Sequence, residues 1–250
     1  PTGIVDAKVI VTRADPVDGK EGDIAVAGTL TFRNATAAFH KFPYEFINMT
    51  GEIAFDEEKV ELVRIEGEAP GGVRIHADGL ITPPTDDAFV DVNVRVSNLP
   101  VDHRLTEALG KRQRVMREVF NEERYRALIE EGVIATREQH EAAIAELARI
   151  QGDPNSPRVR ALRAIAERPV FELGGRAEVV VKVTREAGPD SEWFDVETIR
   201  LPEAGVLPEA FPYPMIARDV TIIKRDTDAV MEGGTYHGLL GGTAHVTARV

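Results

Sequence analysis

Apolar and polar residues alternate along most of this chain. Val5, Ala7, Val9 and Val11 fall in phase, with Asp6, Lys8 and Thr12 on the opposite side. Val90, Val92, Val94 and Val96 repeat the rule against Asp91, Asn93 and Arg95. A period of two marks a strand with one wet and one dry face. Ile24, Val26, Leu30 and Phe32 share a face by the same reading, as do Ile47, Met49, Ile53 and Phe55, and Val73, Ile75, Ala77 and Ile81. Turn-forming clusters separate them: Asp56-Glu57-Glu58-Lys59, Ala69-Pro70-Gly71-Gly72 and Pro83-Pro84. The pattern predicts an antiparallel meander with one apolar face.

The period changes near residue 102. Val115, Met116, Val119 and Phe120 make a helical stripe, followed by Tyr125, Leu128 and Ile129. Thr136 with Gln139 three positions on predicts a capping box, with Ile144 and Leu147 turned inward. Ser156-Pro157 predicts a third start, since serine caps and proline suits the first helical position. Alternation then resumes in "GGRAEVVVKVTR", "EWFDVETIRL", "RDVTIIKRD" and "GGTAHVTARV". The expected organisation is a β unit over 1–100, a helical insert over 101–168 and a second β unit over 169–250 that continues the same sheet. The fold class is mainly β, of α+β type.

One tripeptide occurs twice. Phe42-Pro43-Tyr44 and Phe211-Pro212-Tyr213 each precede alternating segments and, further on, a Gly-Gly pair, Gly71-Gly72 and Gly241-Gly242. The shared order points to an internal repeat.

Composition narrows the function classes. The formal net charge of −12 argues against nucleic-acid binding, which needs a basic surface to displace counterions. Residues 101–168 hold 13 Lys and Arg against 12 Asp and Glu, so the acidity sits in the flanking β segments. With no cysteine there is no disulfide, thiolate metal site or Cys nucleophile. None of His40, His76, His103, His140, His237 and His245 forms a metal-binding pair at helical spacing. The stretch from Gly233 to Thr243 is glycine-rich, but a strand pattern follows it where a phosphate loop would open a helix. Neither a Gly-x-Ser-x-Gly elbow nor a converging acid pair is present, and we expect no enzyme, no metal and no cofactor. Asn34-Ala35-Thr36 and Asn48-Met49-Thr50 match the glycosylation tripeptide. Lys111, Arg112, Arg114 and Arg117 cluster within two helical turns and are candidates for contact with anionic head groups.

The unit from Phe42 to Ile81, with strands around Gly51–Phe55 and Val60–Ile65 and a third ending in Ala77-Asp78-Gly79, resembles the repeating unit of AsmA-like proteins, the group that includes TamB. "VDVNVRVSNLPVDHRLTEAL" is similar to the place in those proteins where a strand ends in Leu-Pro-x-Asp and a short helix follows. The second unit departs from the first at Val220, where the first has Gly51, and the insert 111–168 has no counterpart. The resemblance implies a curved antiparallel sheet forming an apolar groove, in a periplasmic protein whose parent is anchored in the inner membrane. It implies phospholipid acyl chains as partners, carried toward the outer membrane. On that reading Ile53, Phe55, Val73, Ile75, Val90, Val92, Val94 and Val96 line the groove. The alternative is a structural or protein-interaction module of the envelope whose β core is closed by the helices.

Overall fold

The computed structural model describes residues 2–15, 23–39, 42–108, 116, 118–151, 153–225, 228–239 and 241–249. The protein is mainly β: its named strands form one open antiparallel sheet, accompanied by short helices. The sheet runs in chain order through β1 (Thr2–Arg13), β2 (Ile24–Phe39), β3 (Phe42–Phe55), β4 (Val60–Ala69), β5 (Val73–Thr82) and β6 (Phe89–Pro100). It continues through β7 (Gly174–Arg185), β8 (Trp193–Val206) and β9 (Met215–Arg225). Two short strands, β10 (Asp228–Glu232) and β11 (Thr235–Gly238), lie end to end against β9. Beyond them β12 (Thr243–His245) pairs with β11, and β13 (Ala248–Arg249) with β10.

The helices are an insertion between two neighbouring strands. β6 pairs with β7 from Val90 opposite Arg185 to Pro100 opposite Arg176, although residues 101–173 intervene. That insertion contains α1 (His103–Ala108), α2 (Glu122–Glu130), α3 (Arg137–Leu147) and α4 (Pro157–Ala166). Each starts on a side chain that satisfies free backbone donors. Asp102 accepts from the Arg104 and Leu105 amides at 3.0 and 3.2 Å, and Asn121 from Arg124 at 2.9 Å. Thr136 and Gln139 form the reciprocal box, and Ser156 caps α4 ahead of Pro157. The inward assignment of Ile144 does not hold: α3 buries Ala143 and leaves Ile144 49% exposed. The small α3–α4 pair is mostly surface, with Ala143 and Val159 as its buried residues.

Four strands contain a non-glycine residue of positive φ: Asn34 (50°), Asn48 (51°), Asn98 (59°) and Asp219 (54°). Each stands in the same short pattern, apolar, any, Asn or Asp, apolar: Phe32 to Ala35, Phe46 to Met49, Val96 to Leu99 and Ala217 to Val220. Asn and Asp enter the left-handed region at lower cost than other side chains. One such residue turns the strand over, so apolar residues three apart reach the same core. In β2, β3 and β6 the register with a neighbour shifts at this point. In β9 the register with β8 holds, and β8 is likewise buried at positions three apart at the same level, Leu201 and Ala204. Two sequence readings change as a result. Ile47 does not continue the face of Met49, which passes instead to Phe46 and Tyr44. Asn34 and Asn48, legible as glycosylation acceptors, serve as bulge residues.

The doubled tripeptide falls at unequal places. Phe42-Pro43-Tyr44 opens β3, while Phe211-Pro212-Tyr213 lies ahead of β9. Gly71-Gly72 occupy the turn between β4 and β5, and Gly241-Gly242 the turn between β11 and β12, all with positive φ.

Candidate functional site: the uncovered half of the apolar face

The pairing register assembles the alternating strands into rows that cross the sheet. One row runs Ala7, Leu30, Ile53, Leu62, Gly79, Val92, Val183. The next runs Val9, Gly28, Phe55, Val60, Ile81, Val90. A third passes through Val5, Phe32, Gly51, Ile65, Ala77, Val94 and Val181. Every residue in them is apolar.

Two of the glycines lie under rings. Gly28 is the cross-strand partner of Phe55 and Gly51 of Phe32. A Cβ on Gly28 would stand 2.8 Å from the Phe55 ring, and one on Gly51 would run into the Phe32 ring. The rings therefore lie across the glycines and keep the surface apolar where no side chain exists. Gly79 is likewise crowded by β6, with a Cβ only 2.8 Å from the Asp91 carbonyl. By sequence Gly51, Gly72, Gly79 and Gly242 suit bends or bulges; Gly72 and Gly242 sit in turns with positive φ, while Gly51 and Gly79 are packed closely against the adjacent strand.

Helices cover one end of this face. Leu105 and Ala108 of α1, with Met116, Val119 and Phe120, pack on Tyr44, Phe46, Val73, Leu99, Ala177 and Leu201, beside the turned-over strand segments. A second small core joins Leu128 and Ile134 to Phe171 and Leu207. Away from those helices the same face stays partly open to solvent at Leu30, Ile53, Phe55, Leu62, Val92 and Val183. Toward β1 it is fully open, with Val5 63%, Val9 51% and Val11 63% exposed. The whole chain exposes 16209 Å². A compact monomer of 27.4 kDa would expose about 11,000 Å².

The residues expected to line a groove thus divide by position. Ile53, Phe55 and Val92 sit on the uncovered half, and Ile75 and Val94 at the border, partly buried against the covered core. Val73 and Val96 are buried core beneath the helices, and Val90 is buried beside its cross-strand partner Arg185. Lys111, Arg112, Arg114 and Arg117 lie outside the described residues.

The rows end on charge, which reasoning from the sequence missed. Val183 is paired with Asp195 and Val181 with Glu197, and Glu197 in turn with Lys224. Lys224 Nζ lies 3.7 Å from Asp195 and 3.4 Å from Glu197, and side-chain exposure of Lys224 and Glu197 is 21% and 20%. The signal was present: in "WFDVETIRL" Asp195 and Glu197 are in phase with Ile199 and Leu201. At the same margin Arg185 is buried, its guanidinium donating to the carbonyls of Asp86, Gly188 and Ser191, with Trp193 stacked 5.6 Å away. Arg185 fixes two loops at this corner, while Asp195, Glu197 and Lys224 form an ion-pair group beside it. Among the described residues no group of three His, Asp or Glu could hold a metal, and no helix is long and apolar enough to cross a membrane. His40 lies outside the described residues.

No protein-family model, no curated protein and no solved structure matches this chain.

Proposed function

We propose that the chain is a segment of an envelope protein of AsmA-like type, whose repeated β units form an apolar trough that carries phospholipid acyl chains toward the outer membrane. The supporting observation is the set of cross-strand rows that run apolar from β1 to β7 and stay partly open beyond the helices. An apolar layer that served only as a core would be covered along its length. An acyl chain laid along such rows gains about 25 cal/mol per Å² of contact, so a few hundred Å² suffice for micromolar retention. No special side chain is needed for such retention. The Asp195, Glu197 and Lys224 group marks the margin at which a lipid tail would stop and a head group be met.

The second reading, an interaction module with a closed core, draws support from the half of the face beneath α1 and Phe120, which is an ordinary buried core. The two readings part at Val92. A photoreactive residue at Val92, with Asn93 on the opposite face as control, is introduced into the protein in a diderm bacterium. Phospholipid captured at position 92 and absent at 93 is the expected result. A folded protein that captures lipid at neither position removes the conduit reading and leaves the module.

A further inference from the structure

Charged side chains belong on the wet face of an amphipathic sheet. The ion pairs Arg64–Glu66 and Asp91–Lys182 stand there, opposite the apolar rows. Asp195, Glu197 and Lys224 do not: cross-strand pairing with Val183 and Val181 puts them on the apolar face itself. Apolar residues would fit at this place, since the next row towards the helices continues through Val179, Ile199, Ile222 and Met231. An ion pair in place of such residues brings little stability, because lost hydration offsets the attraction. Folding alone therefore leaves the three charges unexplained.

The members of the group are not equivalent. Lys224 is held between the two carboxylates, and it and Glu197 are largely covered. Asp195 is the open one, with 41% of its side chain exposed, and no donor among the described residues hydrogen-bonds to its carboxylate. Two positions along β8, on the same face, Trp193 is 59% exposed. Arg185 at this corner is buried and committed to loop carbonyls. The corner thus presents a carboxylate beside an open indole, at the end of apolar rows. A carboxylate takes an ammonium group through charge-assisted hydrogen bonds, and an indole attracts the same group through its ring.

We propose that this corner receives the ammonium group of a zwitterionic lipid head, a phosphoethanolamine, while the tails lie along the rows through Val181 and Val183. This rests on the trough reading and adds to it a preference among head groups. A phosphoglycerol head has no cation to offer and sets its own charge against that of Asp195.

Trp193 is the one tryptophan of the chain, so its fluorescence reports on this corner alone. The whole 250-residue chain is titrated with dihexanoyl phosphatidylethanolamine and, separately, with dihexanoyl phosphatidylglycerol, each below its micelle-forming concentration. The tails are identical, so a difference in affinity belongs to the head. The ethanolamine lipid should bind about five-fold tighter. Asp195→Asn, which keeps the shape and removes the charge, should bring the two affinities within about two-fold of each other without weakening the glycerol lipid. Asp91→Asn removes a carboxylate from the opposite face and should leave the preference as it was, and circular dichroism should show both variants folded like the parent. Equal affinities in the unaltered chain overturn the proposal and leave the trough reading standing. So does a preference that survives Asp195→Asn, or one that Asp91→Asn abolishes as well. If neither lipid binds, the proposal falls, and capture at Val92 in the cell tells whether the trough reading falls with it.

Discussion

Arg185 illustrates how a single side chain can organise a corner through backbone carbonyls. Its buried guanidinium is satisfied by loop carbonyls, which hold the turn from Pro83 to Ala88 against residues 186–191. Tyr125 does similar work in the second core, its hydroxyl facing the Phe171 carbonyl at 3.3 Å and a Glu172 oxygen at 3.5 Å. Burial, reinforced by the Glu172 charge, pushes its pKa up from 10 to about 12. A folded-state pKa above the unfolded one stabilises the fold fully below pH 10, and that contribution fades as the pH rises from 10 through about 12. The denaturation midpoint should accordingly fall across that interval, and fall less steeply in Tyr125→Phe; equal slopes would show that Tyr125 is not the group responsible. This pairing was not legible in the sequence. Tyr125 read correctly as part of a helix stripe, but Glu172 lies in a connection whose partner only the fold supplies.

At the scale of elements, alternation and capping were legible and phase was not. Thr136 with Gln139, and Ser156 with Pro157, announce helix starts because capping is chemistry between residues three apart. Strand faces fail at Asn34, Asn48, Asn98 and Asp219, where one left-handed residue exchanges inside for outside. The clue was there in four copies of one short pattern, hidden because a strict period of two treats it as noise. Asn98 also donates to the carbonyls of Gly71 and Gly72 at 3.3 and 3.0 Å, tying the bulge to the neighbouring turn. Asn98→Val should therefore cost about 1–3 kcal/mol, for the strained backbone and the lost bonds together. Asn98→Gly, which keeps the backbone and loses only the bonds, should cost about 1 kcal/mol. Urea titration measures both, and equal losses would mean that the φ of Asn98 is not what the strand requires. The uncovered rows were legible residue by residue, yet no local signal showed that α1 covers Val73 and Val96 and leaves Val92 open.

For the whole molecule, the excess of exposed surface implies uneven local stability. Strands β5, β6 and β7 have neighbours on both sides and the helices on one end, while β1 has one neighbour and no cover. Backbone amides of β5 to β7 should exchange slowest with solvent, and those of β1 fastest in dilute samples. Exchange mass spectrometry reads this directly, and uniform protection would contradict it. The β6–β7 pairing has a further consequence for the order of events in folding. Residues up to β6 can assemble by successive hairpins, and so can β7 to β10, because each of these strands meets the next one along the chain. Between those two blocks, the junction of β6 with β7 must wait for the two ends of residues 101–173 to meet. Closing that long loop in place of a tight turn adds about 2–3 kcal/mol of chain entropy. Because that term grows only logarithmically, an insertion of this size is tolerated at the seam. It makes the seam the slow step, at which two half-sheets, each with a raw edge, search for one another.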